Sequence, residues 1–109
     1  MGIELNMADA ILQDPLGRRV VLHNHTWRGH ILRRHPEMQP HRAFVELAII
    51  DPIEIRFSDA DADCRLYFGV GPRPGIMVAV VADLSRGLIK TAHVVKLAKG
   101  AVEWSKPTQ

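Results

Sequence analysis

Ile53-Glu54-Ile55-Arg56-Phe57 is the stretch at which the chain changes period. Apolar residues at every second position, with charge between them, predict a strand with one wet face. Just upstream, Phe44, Leu47, Ala48 and Ile50 recur at helical spacing, so a helix is expected over about 40–50. Pro40 sits where a first-turn proline is tolerated, and Asp51-Pro52 closes the segment. Downstream, 65–70, 76–82 and 88–95 read as three more strands. They are joined by Gly71-Pro72-Arg73-Pro74-Gly75 and by residues 83–87, while 58–63 form an acidic turn. Ile76-Met77-Val78-Ala79-Val80-Val81 is apolar on both faces and belongs in the middle of a sheet. Residues 97–104 read either as a last strand or as an irregular tail.

Toward the N-terminus, Ala10-Ile11-Leu12 and Val20-Val21-Leu22 flank Asp14-Pro15-Leu16-Gly17, a hairpin in which Pro presets one turn dihedral and Gly permits the other. Thr26 is then a plausible N-cap for a short helix from Trp27 to about Arg34, which ends because Pro36 disfavours helical geometry at His35. Trp27, Ile31 and, at the helix end, Arg34 would share one face. Helices followed by hairpin-linked strands make an α+β domain, with the helices on one face of an antiparallel sheet. The other face is left open, beside a basic helix, where a ligand could sit.

At 109 residues, 47% hydrophobic and 24% charged, the chain has room for one domain, expected over 1–109 with its core at about 12–95. A chain of this size hides about two thirds of its unfolded surface and needs no staple. The single cysteine, Cys64, excludes an internal disulfide framework and a Cys-rich zinc ribbon and fits a reducing compartment. Glu4 and Asp9 stand where a secretory signal would need bases, and the longest apolar run, 76–82, is too short to cross a bilayer. A soluble, cytoplasmic protein with no membrane partner is expected.

Net charge is +2, and its distribution says more than its sum. Residues 18–42 carry six arginines against the lone Glu37, with five of the six histidines. Residues 43–64 carry six acids against Arg56, and from Arg65 onward seven bases face two acids. A molecule with a positive and a negative side follows, and a positive side most often meets phosphate; a solvated basic face without a partner is the plainer alternative.

The densest cluster is Trp27-Arg28-Gly29-His30-Ile31-Leu32-Arg33-Arg34-His35-Pro36-Glu37-Met38. His30 lies three and four residues from Arg33 and Arg34, so each guanidinium is about one helical turn away. A fixed positive neighbour disfavours the imidazolium and suits the ring to accept a proton, while arginine holds phosphate by two hydrogen bonds. That is a minimal kit for metal-free phosphodiester chemistry; a solvated polar helix face is the bland reading. His35 could equally be a helix C-cap, Trp27 core, and Glu37 the partner of a nearby arginine.

His23, His25, His30, His35 and His41 match no metal-ligand spacing, so no metal and no cofactor is expected. Arg65 and Tyr67 share one strand face, and Thr91 and His93 could present a hydroxyl and an imidazole to one side. Tyr67 could also be core. Cys64 has nothing nearby to lower its pKa, and the glycines of 69–75 lack the following helix and lysine of a phosphate loop.

The order Trp27-x-x-His30-Ile31-x-x-Arg34-His35-Pro36-Glu37-Met38, Asp51-Pro52-x-x-Ile55, Arg65-Leu66-Tyr67-Phe68, a Val-rich strand and Gly87-x-Ile89-x-Thr91-Ala92 resembles the phage- and mobile-element-associated domains of the barnase/EndoU/colicin/RelE-like nuclease superfamily. The resemblance runs over about 12–95. It implies N-terminal helices on a four-stranded antiparallel sheet whose open face receives RNA, and metal-independent RNA cleavage by 2′-hydroxyl attack. On this chain His30 and His35 become the acid/base candidates, Arg34 and Arg65 stabilise the transition-state charge, and Thr91 orients a phosphate oxygen. Arg33, Arg34, Tyr67 and Glu37 become substrate contacts. RNA is the implied partner, along with an immunity or antitoxin protein. The acidic Asp59-x-Asp61-x-Asp63 turn before Arg65 departs from the pattern, and Lys90 and His93 receive no role. The alternatives are an RNA- or protein-binding module without catalysis and a structural phage component. The nuclease reading requires His30, His35, Arg65 and Thr91 to line one anion pocket.

Overall fold

Asp14 sets the first turn of the chain. Its carboxylate accepts the backbone N–H groups of Leu16 and Arg18, each at 2.9 Å, and Gly17 supplies a φ of +82°. The hairpin pairs β1 (Ala10–Gln13) with β2 (Arg19–Leu22), as the turn chemistry predicts. The computed structural model describes residues 8–108, and its later strands are β3 (Glu54–Phe57), β4 (Cys64–Val70), β5 (Met77–Asp83), β6 (Leu88–Val95) and β7 (Val102–Ser105).

These strands form one curled, mixed sheet in the order β1-β2-β6-β5-β4-β3-β7. The expected four-stranded antiparallel sheet is corrected: β3 to β6 are its middle. β2 adds parallel to β6 through Val21 and Leu88, and the ambiguous 97–104 region contributes β7, antiparallel to β3. Alternation reports that a segment is extended, not what it pairs with, so hairpin and tail carried no sign of joining the sheet. β5 lies at the centre, as its two apolar faces require.

Register sorts the side chains between two faces. Val81 stands opposite Leu66 and Thr91, and Ala79 opposite Phe68 and His93, so these six share what we call the outer face. Tyr67, Val80 and Ala92 pair across the inner face with Ile55 and enter the main core.

Two helices complete the core. Asn24–Thr26 and Leu32–Arg34 are helical turns joined through a π turn, Trp27–Ile31, and together form α1. Trp27 and Ile31 are buried together, as their spacing predicts. The expected cap at Thr26 is corrected. Thr26 is itself helical, and the first free N–H, that of Asn24, is taken by the carboxylate of Asp9 at 2.7 Å. A 3₁₀ segment, Pro36–His41, leads to α2 (Arg42–Ile50), which starts two residues later than expected. Its buried face is Val45, Ala48 and Ile49, whereas Leu47 and Ile50 are exposed. Four adjacent apolar residues, 47–50, leave the periodicity unable to choose a face.

α2 packs on the inner face, and α1 runs beside β6 where the short β2 leaves that strand unpaired. The outer face is only partly open. β6 and β7 are three strands apart, so residues 96–101 cross over β5, β4 and β3 between them. The crossover is pinned where Arg56 Nη1 donates to the Gly100 carbonyl at 2.7 Å and the Phe57 N–H to that of Ala101 at 2.9 Å. Phe68 and Ala79 are buried beneath it. Among the described residues no helix is long and apolar enough to cross a membrane.

Candidate functional site

α1 and β6 bring several of the expected residues to the outer face. His30 and Thr91 line one cavity of 520 Å3, with Gly29 leaving space between helix and strand. Lys90 lines it too, for a local reason. Val81 pairs with Thr91 but Ala82 pairs with Ile89, so Lys90 is the extra residue of a β-bulge. Bulges re-aim a side chain in this way and are common beside active sites. On its helix side His30 also borders a polar cleft of 360 Å3 shared with Arg33 and Arg34.

Thr91 and His93 project to the same side, and the ring of His93 stacks on that of His35, centroids 5.3 Å apart and 24° from parallel. His35 ends α1 and is turned toward the sheet by the proline that follows it. Its Nδ1 lies 3.5 Å from a carboxylate oxygen of Glu37, which takes this role rather than pairing with an arginine. Burial holds the His93 imidazole below its ordinary pKa, the neighbouring His35 adds to the effect, and Glu37 opposes it. His93 is therefore neutral near pH 7 and able to accept a proton.

Arg65 and Tyr67 are elsewhere. Both belong to the inner face of β4, opposite the face of Thr91 and His93. Arg65 donates Nε to Glu103 at 3.0 Å, caps the carbonyls of Ala62 and Cys64, and lies over the ring of Phe57 at 4.5 Å. Tyr67 is wholly buried and donates its hydroxyl to Asp14 at 2.6 Å. Burial and that carboxylate push its phenol well above the usual range. The common pocket of His30, His35, Arg65 and Thr91 is thus corrected: His30, His35 and Thr91 are gathered along α1 and β6, and Arg65 is not.

The remaining charges complete the picture. Among the described residues, no hydrogen bond or ion pair holds the side chains of Arg28, Arg33, Arg34 or Lys90, whereas Arg18, Arg56 and Arg65 are tied to carboxylates. Unspent positive charge therefore runs along α1 and the start of β6, and among the described residues Arg19, Arg73, Lys96 and Lys99 add to it elsewhere on the surface. The acidic 58–63 turn lies beyond the start of β4, level with the β5–β6 turn, where the Asp63 carbonyl accepts the Leu84 N–H. With the bulge taken out, His93 is four strand steps from that end, about 13 Å at strand rise. Cys64 is buried and its thiol is pushed up by that burial, so it is inert. His23 stacks on His25 and faces Asp9, and no group of three potential metal ligands converges among the described residues.

Sequence reasoning set His93 beside Thr91 but assigned no role to it or to Lys90. His93 was legible as the strand partner of Thr91, two residues away. Lys90 was not, because a bulge leaves no mark in a pattern of alternation. Comparison of the chain with protein-family models, with curated proteins and with solved structures yields no match.

Proposed function

We propose that this chain is a metal-independent ribonuclease of the barnase/EndoU/colicin/RelE-like kind, and that its proton-transfer pair is His35 and His93. The stacking of these two imidazoles on the outer face, beside unpaired cations, is the observation that carries the reading. In the reaction, neutral His93 takes the proton of the ribose 2′-hydroxyl as its oxygen attacks the adjacent phosphorus. The bond from phosphorus to the 5′-oxygen breaks, and that oxygen receives a proton from His35, whose ring Glu37 orients. A cyclic phosphate and a free 5′-hydroxyl result. Lys90, Thr91 and His30 border the space where the phosphate oxygens would lie, and Arg33 and Arg34 extend the positive surface to a neighbouring phosphate. The relatives that the sequence resembles add a toxin-like setting and an immunity partner to this proposal.

The test is cleavage of structured RNA by purified protein in EDTA. Cyclic-phosphate-ended fragments are expected from the wild type and a loss of at least about 10²-fold in His35→Ala and His93→Ala. Equal cleavage by both variants refutes the assignment. A second reading is favoured by one observation: Arg65, the guanidinium expected at the transition state, is engaged by Glu103. On that reading the same face binds RNA without cutting it, giving salt-sensitive affinity and intact strands.

A further inference from the structure

The cleft under the β6–β7 crossover adjoins the imidazole pair without belonging to it. It encloses 210 Å3, with Leu66, Phe68 and Val81 on the sheet side, Leu97 and Lys99 on the crossover side, and His93 at its edge. A void of about 150 Å3 is enough to take a benzene ring, so this one has room for a single planar heterocycle and not for two. Its walls are almost wholly apolar. The crossover that forms its outer wall is fixed at one end by β6 and at the other by the Arg56 and Phe57 hydrogen bonds, so the cleft exists before any ligand arrives. Leu97 is 75% exposed, and Lys99 offers a cation on the same stretch of the crossover.

We infer that this cleft is a nucleobase subsite, which holds one unstacked base of the RNA next to the phosphate that His35 and His93 act on. The inference rests on the ribonuclease reading for the identity of that phosphate. Single-stranded RNA is commonly recognised by bases splayed out of their stack into apolar or aromatic pockets, with cations on the backbone. Here Leu97 and Leu66 would cover the base, and Lys99 would meet the adjoining phosphate. Among the described residues, the polar side chains on its lining are His93 and Lys99, too few to read a Watson–Crick edge. The cleft therefore sorts bases by size, purine against pyrimidine, and does not separate adenine from guanine or cytosine from uracil.

Two measurements test this. In the first, the ends made from an RNA of random sequence are read for the wild type, Leu97→Ala and Leu97→Trp; Leu97 is exposed, so both variants should fold. The wild type should show about a tenfold purine–pyrimidine skew at one position beside the cut. Leu97→Ala should flatten it, and Leu97→Trp should suppress cleavage severalfold. In the second, methyl signals of Leu66, Val81 and Leu97 are followed during titration with 2-aminopurine riboside 3′-phosphate, and should shift together in the wild type but not in Leu97→Trp. Cleavage whose skew is absent or unchanged by both variants, or methyl signals that stay still, overturns the subsite and leaves the ribonuclease standing. Shifted methyls without cleavage keep the base site and remove the ribonuclease.

Discussion

Arg18, in the turn of the first hairpin, and Glu103, on the last strand, are joined by hydrogen bonds of 2.7 and 3.0 Å, although the β1-β2 hairpin and β7 lie at opposite edges of the sheet. The bidentate pair closes the curl of the sheet. Arg65 reaches the same carboxylate at 3.0 Å, and Arg18 Nε reaches Asp14 at 2.8 Å. Asp14 in turn receives the Tyr67 hydroxyl, so five side chains tie the two edges to the centre. This cluster absorbed both β4 residues that the sequence suggested for RNA.

Removing Glu103 leaves two guanidinium groups, Arg18 and Arg65, facing each other with their common partner gone. Glu103→Ala should therefore cost about 1–3 kcal/mol, toward the lower part of the range for broken buried pairs because the cluster is partly solvated. Lys106→Ala, which breaks an ion pair half-exposed on both sides, should change stability by no more than about 0.5 kcal/mol. Urea unfolding of the two variants measures the difference, and equal midpoints would refute the closing role of Glu103.

Acid should undo the same cluster. The hydrogen bond from Arg18 holds Glu103 below its ordinary 4.5. For Asp14, burial alone would raise the pKa, but hydrogen bonds from Tyr67 and Arg18 outweigh it and hold the group below 3.8. Both folded-state values lie under the unfolded ones, so this stabilisation is complete above about 4.5 and fades as pH falls through the folded values. His93 works in the same direction from higher up: its neutral folded form lets the unfolded chain take the proton first, beginning near 6.5. Stability measured against pH should decline gently below 6.5 and steeply below 4.5, and Glu103→Gln should flatten the steep part.

On the ribonuclease reading proposed above, His93 also sets the activity profile. A base whose pKa lies below 6.5 stays ready at neutral pH, so kcat/KM should fall only as pH drops beneath 6.5. Glu37→Gln removes the one nearby charge that favours the His93 imidazolium and should move that acid limb lower still. An acid limb above 6.5 would place another group in the role of base.

Arg65 separates expectation from geometry. If it stabilised the transition state, its removal would cost about 10²–10³ in rate. Held on the inner face by Glu103, it should matter to stability alone. On the proposed ribonuclease reading, Arg65→Met is expected to cleave RNA within about twofold of wild type per folded molecule, while Lys90→Met loses at least tenfold. The reverse order of the two variants would return the site to the inner face.

The contrast between these residues shows what was legible in advance. Turn chemistry at Asp14 and Gly17, the central place of 76–81, and the joint burial of Trp27 and Ile31 follow from local rules that the fold obeys. That Thr91 and His93 share a side is likewise a consequence of strand geometry. Whether Arg65 shares that side is set by a register between strands, and one residue of shift reverses every side chain. Neither Glu103, in a segment with ambiguous structure, nor the bulge at Lys90 has a signature in composition or spacing. Sheet partners and bulges are tertiary facts, and they decide which of the basic residues remain free for a ligand.

Gly69 offers a test of the packing that holds α2 on the inner face. A Cβ at Gly69 would lie 2.7 Å from both Cα and Cβ of Ala48, a distance that forces the helix and strand apart. Because one of the two contacts is backbone, no rotamer change relieves it. Gly69→Ala should therefore cost about 1–3 kcal/mol, against the usual small gain from replacing a strand glycine. Adding Ala48→Gly removes the Cβ contact but keeps the Cα one and places glycine inside α2, itself unfavourable by about 1 kcal/mol. The double variant should thus recover part of the loss and fall short of wild type. Full recovery would mean that only the two methyl groups meet, and no loss in the single variant would mean that α2 sits farther from β4.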